Sequence, residues 1–102
     1  MDDAWLTHGT FAPLVGTSFT TMTEHGAVEL TLESANDSGI GGGTSPDGHT
    51  RTQFSLEFAG PADTPLEQGT YELTSAALGT QPIFLVPVQG NPGSRYYEAI
   101  FA

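Results

Sequence analysis

Three histidines, His8, His25 and His49, are the side chains of this chain best suited to moving a proton near neutral pH or to ligating a metal through an imidazole nitrogen. They lie far apart, none in the His-x-His or His-Glu-x-x-His spacing that sets two imidazoles on one ion, and each falls in or beside a turn or terminal segment. Solvent-exposed histidine accounts for all three. Asp37 and Asp47 bracket a glycine-rich stretch and offer the hard oxygens that calcium prefers, but without the D-x-[DN]-x-[DN]-G order that wraps such ligands around one ion. The run Gly39-Ile40-Gly41-Gly42-Gly43 resembles a phosphate-cradling loop only in composition. It lacks a glycine at position 44, a following helix and the lysine of a P-loop. Glu29 and Glu33 share one face of an alternating segment, and two carboxylates can in principle divide acid and base work. No partner that would separate their pKa values is evident, and no Gly-x-Ser-x-Gly elbow occurs. The reading is therefore a non-enzyme with no cofactor and no metal.

Charge excludes more than these motifs establish. Twelve acidic residues stand against two arginines, Arg51 and Arg95, for a formal net charge of -10 over 102 residues. Such a surface repels phosphate backbones and anionic lipid headgroups, so neither nucleic acid nor a membrane is an expected partner. No apolar stretch approaches the length of a membrane-spanning helix, and the acidic start of the chain is unlike a signal peptide. A cytoplasmic protein is the default, with release into an extracellular assembly compatible with the same sequence. Cysteine is absent, which removes disulfides and thiolate metal sites.

The elements that must position any site read as strands. Apolar and polar residues alternate at period two in 27–34, where Val28, Leu30 and Leu32 oppose Glu29, Thr31 and Glu33, and again in 53–58, where Phe54, Leu56 and Phe58 share a face. Threonine-rich 17–23 forms a hairpin with the first of these through Glu24-His25-Gly26. Residues 70–74 alternate around Tyr71 and Leu73. Segments 82–88 and 95–101 flank Gln89-Gly90-Asn91-Pro92-Gly93-Ser94, whose Asn-Pro-Gly core suits a type II turn. About six short strands with no helical period predict an all-β fold, a small antiparallel β-barrel or β-sandwich in one domain over residues 1–102. Residues 35–50 are expected to be a mobile glycine-rich loop or long hairpin tip, and 60–69 a stiffer crossing. Residues 1–10 are expected to be a flexible N-terminal segment, in which Asp2–Leu6 is either a disordered tail or a helical turn laying Trp5 and Leu6 over an open barrel end. The predicted core is Phe19, Val28, Leu30, Leu32, Phe54, Leu56, Phe58, Tyr71, Leu73, Phe84, Val86, Tyr97 and Phe101.

The C-terminal hairpin departs from an ordinary half-buried sheet. Ile83-Phe84-Leu85-Val86-Pro87-Val88 is apolar on both faces, so one face fills the core and the other needs cover. Cover comes either from this chain's own N-terminal segment and crossing or from another subunit. The sequence assigns the outer face, and hence an interface, to Ile83, Leu85, Tyr96 and Ile100. Pro87 cannot donate to a ladder, which places that part of the strand at an edge or in a bulge.

A set of residues carries a family resemblance from Phe11 to Phe101: Phe54, Leu56, Phe58 and Gly60-Pro61; Leu66, Gln68-Gly69 and Tyr71; Leu78-Gly79; Phe84-Leu85-Val86-Pro87-Val88; and Tyr97-Glu98-Ala99-Ile100-Phe101. On these the chain resembles an uncharacterised family of small bacterial all-β domains known as a domain of unknown function. Some members are encoded near proteins similar to phage-tail collar or fibre components, so the resemblance implies a structural role. It supplies no catalytic residue, and relative to it 35–50 reads as an insertion. The expected function is a non-enzymatic structural protein that forms homo-oligomers or serves as a subunit of a larger, phage-tail-like assembly. The alternative is a soluble acidic domain that holds a cation or a basic partner.

Overall fold

Alternation at period two becomes strand wherever the sequence carries it. The computed structural model describes residues 6–24, 26–44, 50–91 and 93–101. Its six strands are β1 (Ser18–Thr23), β2 (Gly26–Thr44), β3 (Thr50–Pro61), β4 (Gly69–Ser75), β5 (Gly79–Asn91) and β6 (Ser94–Phe101). They close into an antiparallel barrel in the order β1-β2-β3-β6-β5-β4, so every strand has a neighbour on both sides, although the β1–β4 contact is short. Two three-stranded meanders, β1-β2-β3 and β4-β5-β6, make up the wall. They meet along two seams of unequal length: β3 pairs with β6 from Phe54–Phe101 to Pro61–Ser94, whereas β1 pairs with β4 only at Thr20–Thr74.

Both barrel ends are stopped by segments outside the strands. β4 stands across the barrel from β3, so the connection after Pro61 must cross one open end, and it drops Leu66 into that end, where the side chain is buried. Tyr97, 1 % exposed, reaches toward this crossing, and its hydroxyl accepts a hydrogen bond from the Leu66 N–H at 2.9 Å. This contact satisfies a backbone donor that would otherwise be orphaned in the interior. At the other end a short helix, α1 (His8–Phe11), runs into a 3-10 turn over Ala12–Leu14, with Pro13 at a position where a missing N–H costs little. A capping box of Thr7 and Thr10 starts the helix, and the Thr7 N–H donates to Thr10 Oγ1 at 3.0 Å.

Phe11 is the stopper of that end. It is fully buried, with its ring 5.7 Å from Phe101, 5.9 Å from Phe54 and 6.4 Å from Phe19. Phe54 and Phe101 face one another across β3 and β6 and stack at 4.6 Å with their planes 3° apart, an aromatic pairing worth about 0.5–1.5 kcal/mol beyond area burial. The helix lies at His8–Phe11, beyond the turn expected at Asp2–Leu6, most of which is outside the described residues; Leu6 is packed against the core. Trp5 lies outside the described residues.

Most of the expected core is inside: Phe19, Val28, Leu30, Leu32, Phe54, Leu56, Phe58, Leu73 and Tyr97 are buried, and Tyr71 and Phe101 pack against them. Phe84 and Val86 are not core residues. The faces of β5 are the reverse of the sequence reading, because Ile83 and Leu85 are 1 % and 0 % exposed while Phe84 is 50 % exposed. A strand apolar on both faces carries no phase of its own, and its neighbour sets it. Opposed residues of a ladder share a face, and Ile83 sits opposite inward-facing Tyr71 and Gln81 opposite buried Leu73. Pro87 is at an edge as expected, since β4 begins opposite Leu85 and β5 beyond it pairs with β6 alone.

Of the two forms expected for 35–50, the described residues take that of a long hairpin. Residues 35–44 continue β2, with Asp37 opposite Phe54, Gly41 opposite Thr52 and Thr44 opposite Thr50. The β3–β6 pairing ends at Phe54, so beyond it the β2–β3 hairpin extends as a two-stranded arm past the barrel wall. Register shifts between Asp37 and Gly41, and a φ of 76° at Gly39, accommodate the glycines as irregularities within a strand. Among the described residues, no helix is long and apolar enough to cross a membrane.

Candidate interaction surface

Each predicted site residue takes its position from the ladder register. On β6, Tyr97 and Ala99 point inward and Tyr96, Glu98 and Ile100 outward. The four residues assigned to an interface are therefore divided: Ile83 and Leu85 line the barrel core, whereas Ile100 is 70 % exposed and Tyr96 half-buried on the outer wall. The apolar outer face is formed instead by Phe84, Val86 and Val88 of β5 with Tyr96 and Ile100 of β6. Val88 stands opposite Tyr96 and Val86 opposite outward-facing Glu98, where the β5–β6 ladder ends; Phe84 is paired with Thr70 of β4 and Ile100 with Ser55 of β3. One face of the hairpin fills the core and the other is open apolar surface, as the two-faced sequence requires, with the identities exchanged on β5 and as expected on β6.

The carboxylate and imidazole candidates separate into those the fold brings together and those it does not. His8 and Asp37 become neighbours at the plugged end, where α1 packs on β2. His8 Nε2 lies 3.0 Å from the Ala35 carbonyl and its ring meets Phe54 edge-on at 6.4 Å. A carbonyl only accepts, so Nε2 carries the proton and is not free to act as a base. The Gly39 N–H donates to Asp37 Oδ1 at 2.9 Å and holds that carboxyl below the ordinary aspartate range; the Thr52 side chain and the nearby His8 act in the same direction. Asp37 is an ionised turn-former rather than a proton donor. Ser38, beside it, gives its hydroxyl to the Gln53 carbonyl at 2.8 Å. Glu29 and Glu33 are exposed on β2. His25, His49 and Asp47 lie outside the described residues. Among the described residues, no three His, Asp or Glu side chains converge on a point that could hold a metal ion.

Depressions in the surface are shallow and sit at the barrel ends and at the β1–β4 seam. At the Leu66 end Thr23, Val28, Asp63, Thr64 and Pro65 surround one of about 450 Å³, with the Thr64 hydroxyl oxygen buried there without a protein partner. At the seam β1 and β4 bound another, between Thr21 and Met22 on one bank and Thr70, Tyr71 and Glu72 on the other. No sequence signal marks the seam, because strand order around a barrel is not written in local periodicity.

A family model described as a domain of unknown function (DUF6916) matches residues 6–101. The chain belongs to this family. No curated protein and no solved structure matches it. The DUF6916 match takes in both end plugs, Phe11 and Leu66, and every strand of the barrel, so the domain is the whole closed structure and not the strands alone.

Proposed function

We propose that this DUF6916 protein is a non-enzymatic assembly protein whose copies associate through the outer face of β5 and β6, as homo-oligomers or as a subunit of a bacterial, phage-tail-like structure. The observation that carries the reading is the open apolar face: Phe84 and Ile100 are 50 % and 70 % exposed, with Val86, Val88 and Tyr96 alongside. An isolated exposed apolar residue needs no explanation, but a contiguous group on one sheet face is the usual mark of an interface. The larger setting draws support only from the family resemblance; the protein is made in the cytoplasm and joins its assembly there or on release.

Copies carrying a net charge of -10 repel one another, and salt screens that repulsion over a Debye length of about 8 Å at physiological strength. Association through an apolar face therefore strengthens as salt rises, opposite to a contact held by complementary charges. Sedimentation velocity at low and high salt tests this. The wild type is expected to self-associate more at high salt, and the doubly substituted Phe84→Ser, Ile100→Ser protein to stay monomeric with an unchanged circular dichroism spectrum. A wild type that is monomeric at high concentration in both salts, or a variant that associates as the wild type does, overturns the proposal.

A further inference from the structure

The barrel wall is incomplete at one place. Every other pair of neighbouring strands shares at least three consecutive ladder pairs, and β4 and β5 pair without interruption from Gly69–Leu85 to Ser75–Gly79. β1 and β4 meet at Thr20–Thr74 alone, so toward the Leu66 end, past this pair, the two strands carry no ladder to each other. A groove lies over this seam, bounded by Met22 on β1 and by Thr70, Tyr71 and Glu72 on β4, and it reaches across the Thr20–Thr74 pair to Thr80 of β5. It runs on into a second depression that shares Met22 and Tyr71 and adds Glu24 and Glu67. Met22, 73 % exposed, is the most exposed large apolar side chain among the described residues.

We propose that this seam is a β-strand addition site for an extended basic segment of a partner protein. Two observations point to such an occupant. Two strand edges that face one another without a ladder offer main-chain hydrogen bonding to an added strand, the mode in which backbone gives affinity and alternate side chains give specificity. The carboxylates of Glu24, Glu67 and Glu72 lie along this groove, in a protein with no lysine and two arginines, so complementary charge on the added strand is arginine or lysine at alternate positions. Met22 supplies an unbranched, adaptable surface against which the stems of such side chains pack. This site is separate from the β5–β6 face and does not depend on association between copies.

The test uses the whole protein and a capped heptapeptide of alternating arginine and valine, followed by amide chemical-shift changes at low salt. Three comparisons accompany it: the glutamate-for-arginine peptide, the same peptide with alternate backbone nitrogens methylated, and the parent peptide on Glu72→Arg protein. Shifts concentrated at residues 20–23 and 69–74, no binding by the glutamate or N-methylated peptides, and binding to Glu72→Arg protein weakened by about tenfold are expected. Equal binding of the N-methylated peptide reduces the contact to unspecific charge attraction and overturns the proposal. Shifts centred on the Glu29–Glu33 face, or no binding at millimolar peptide, overturn it equally. Since the β5–β6 proposal is read by sedimentation and this one by peptide binding, either can fail without the other.

Discussion

Replacing Gly60 with alanine isolates a single packing contact at the barrel end. A methyl group placed on its Cα would sit 2.6 Å from Leu30 Cδ2 and 3.4 Å from Tyr97 Cε2, whereas carbon atoms pack at about 3.5–4.0 Å. Leu30 and Tyr97 are 0 % and 1 % exposed, so the Leu30 methyl must shift by about 1 Å among buried neighbours. Overpacking of this kind costs about 1–3 kcal/mol. Gly60 does not have a positive φ, so the backbone accepts alanine without strain, and the lost freedom of the unfolded chain returns about 0.4–1 kcal/mol. The net expectation is a destabilisation of about 1–2 kcal/mol, or a Tm lower by about 5–15 °C in a domain of this size. Urea unfolding followed by circular dichroism reads it as a lower midpoint at unchanged m-value. The decisive comparison is Gly60→Ala in a Leu30→Ala background, where Cδ2 is gone. That background itself loses about 2–5 kcal/mol, but adding the Gly60 substitution to it should then cost nothing further or restore a little stability. If Gly60→Ala costs the same in both backgrounds, the penalty is not the Leu30 contact and the packing argument is refuted.

Tyr97→Phe removes the acceptor of the buried Leu66 N–H and should cost about 1–3 kcal/mol, with Leu66 amide exchange accelerated beyond the global change; a cost under about 0.5 kcal/mol with Leu66 still protected would show that the bond does not stabilise the crossing. Asp37, held below the ordinary aspartate range when folded, contributes stability that is fully present above the unfolded-state value and is lost as pH falls through the folded-state value. Its carboxyl titration by NMR should have a midpoint below that of a model peptide, and Asp37→Asn should flatten this part of the acid limb. A midpoint at or above the peptide value contradicts the assignment.

Where alternation was unambiguous, sequence and structure agree: Val28, Leu30 and Leu32 face in against outward Glu29 and Glu33, because only one phase of that strand buries apolar atoms. Residues 83–88 had no such asymmetry. Either phase buries branched or aromatic side chains, so the choice between Ile83 and Phe84 fell to pairing with Tyr71 and Leu73, a non-local fact. Glycine-rich 35–44 left a loop and a long hairpin open, and pairing decided for the hairpin: Ala35–Asp37 lie against Leu56–Phe54, and Gly41 and Thr44 against Thr52 and Thr50. Phe11 and Leu66 lie in non-periodic segments, and their burial follows from closure of the barrel, which leaves two open ends to be filled. The outer apolar face was legible as a property of the hairpin, with Tyr96 and Ile100 placed on it correctly and the β5 members reversed, and the β1–β4 seam was not legible at all.

The unequal seams also give the molecule a mechanical axis. The long β3–β6 ladder ties the two meanders along one side, and the single Thr20–Thr74 pair latches them along the other. The latch has the fewest ladder bonds to break, so it is the side on which such a barrel opens at least cost, with the β3–β6 side as the hinge and each meander as a leaf. The Phe54–Phe101 stack spans the hinge. The crossing that carries Leu66 runs from one leaf to the other over the barrel end, so it acts as a strap that limits how far the leaves can part, and the Tyr97 hydroxyl is the point where the strap is tied down.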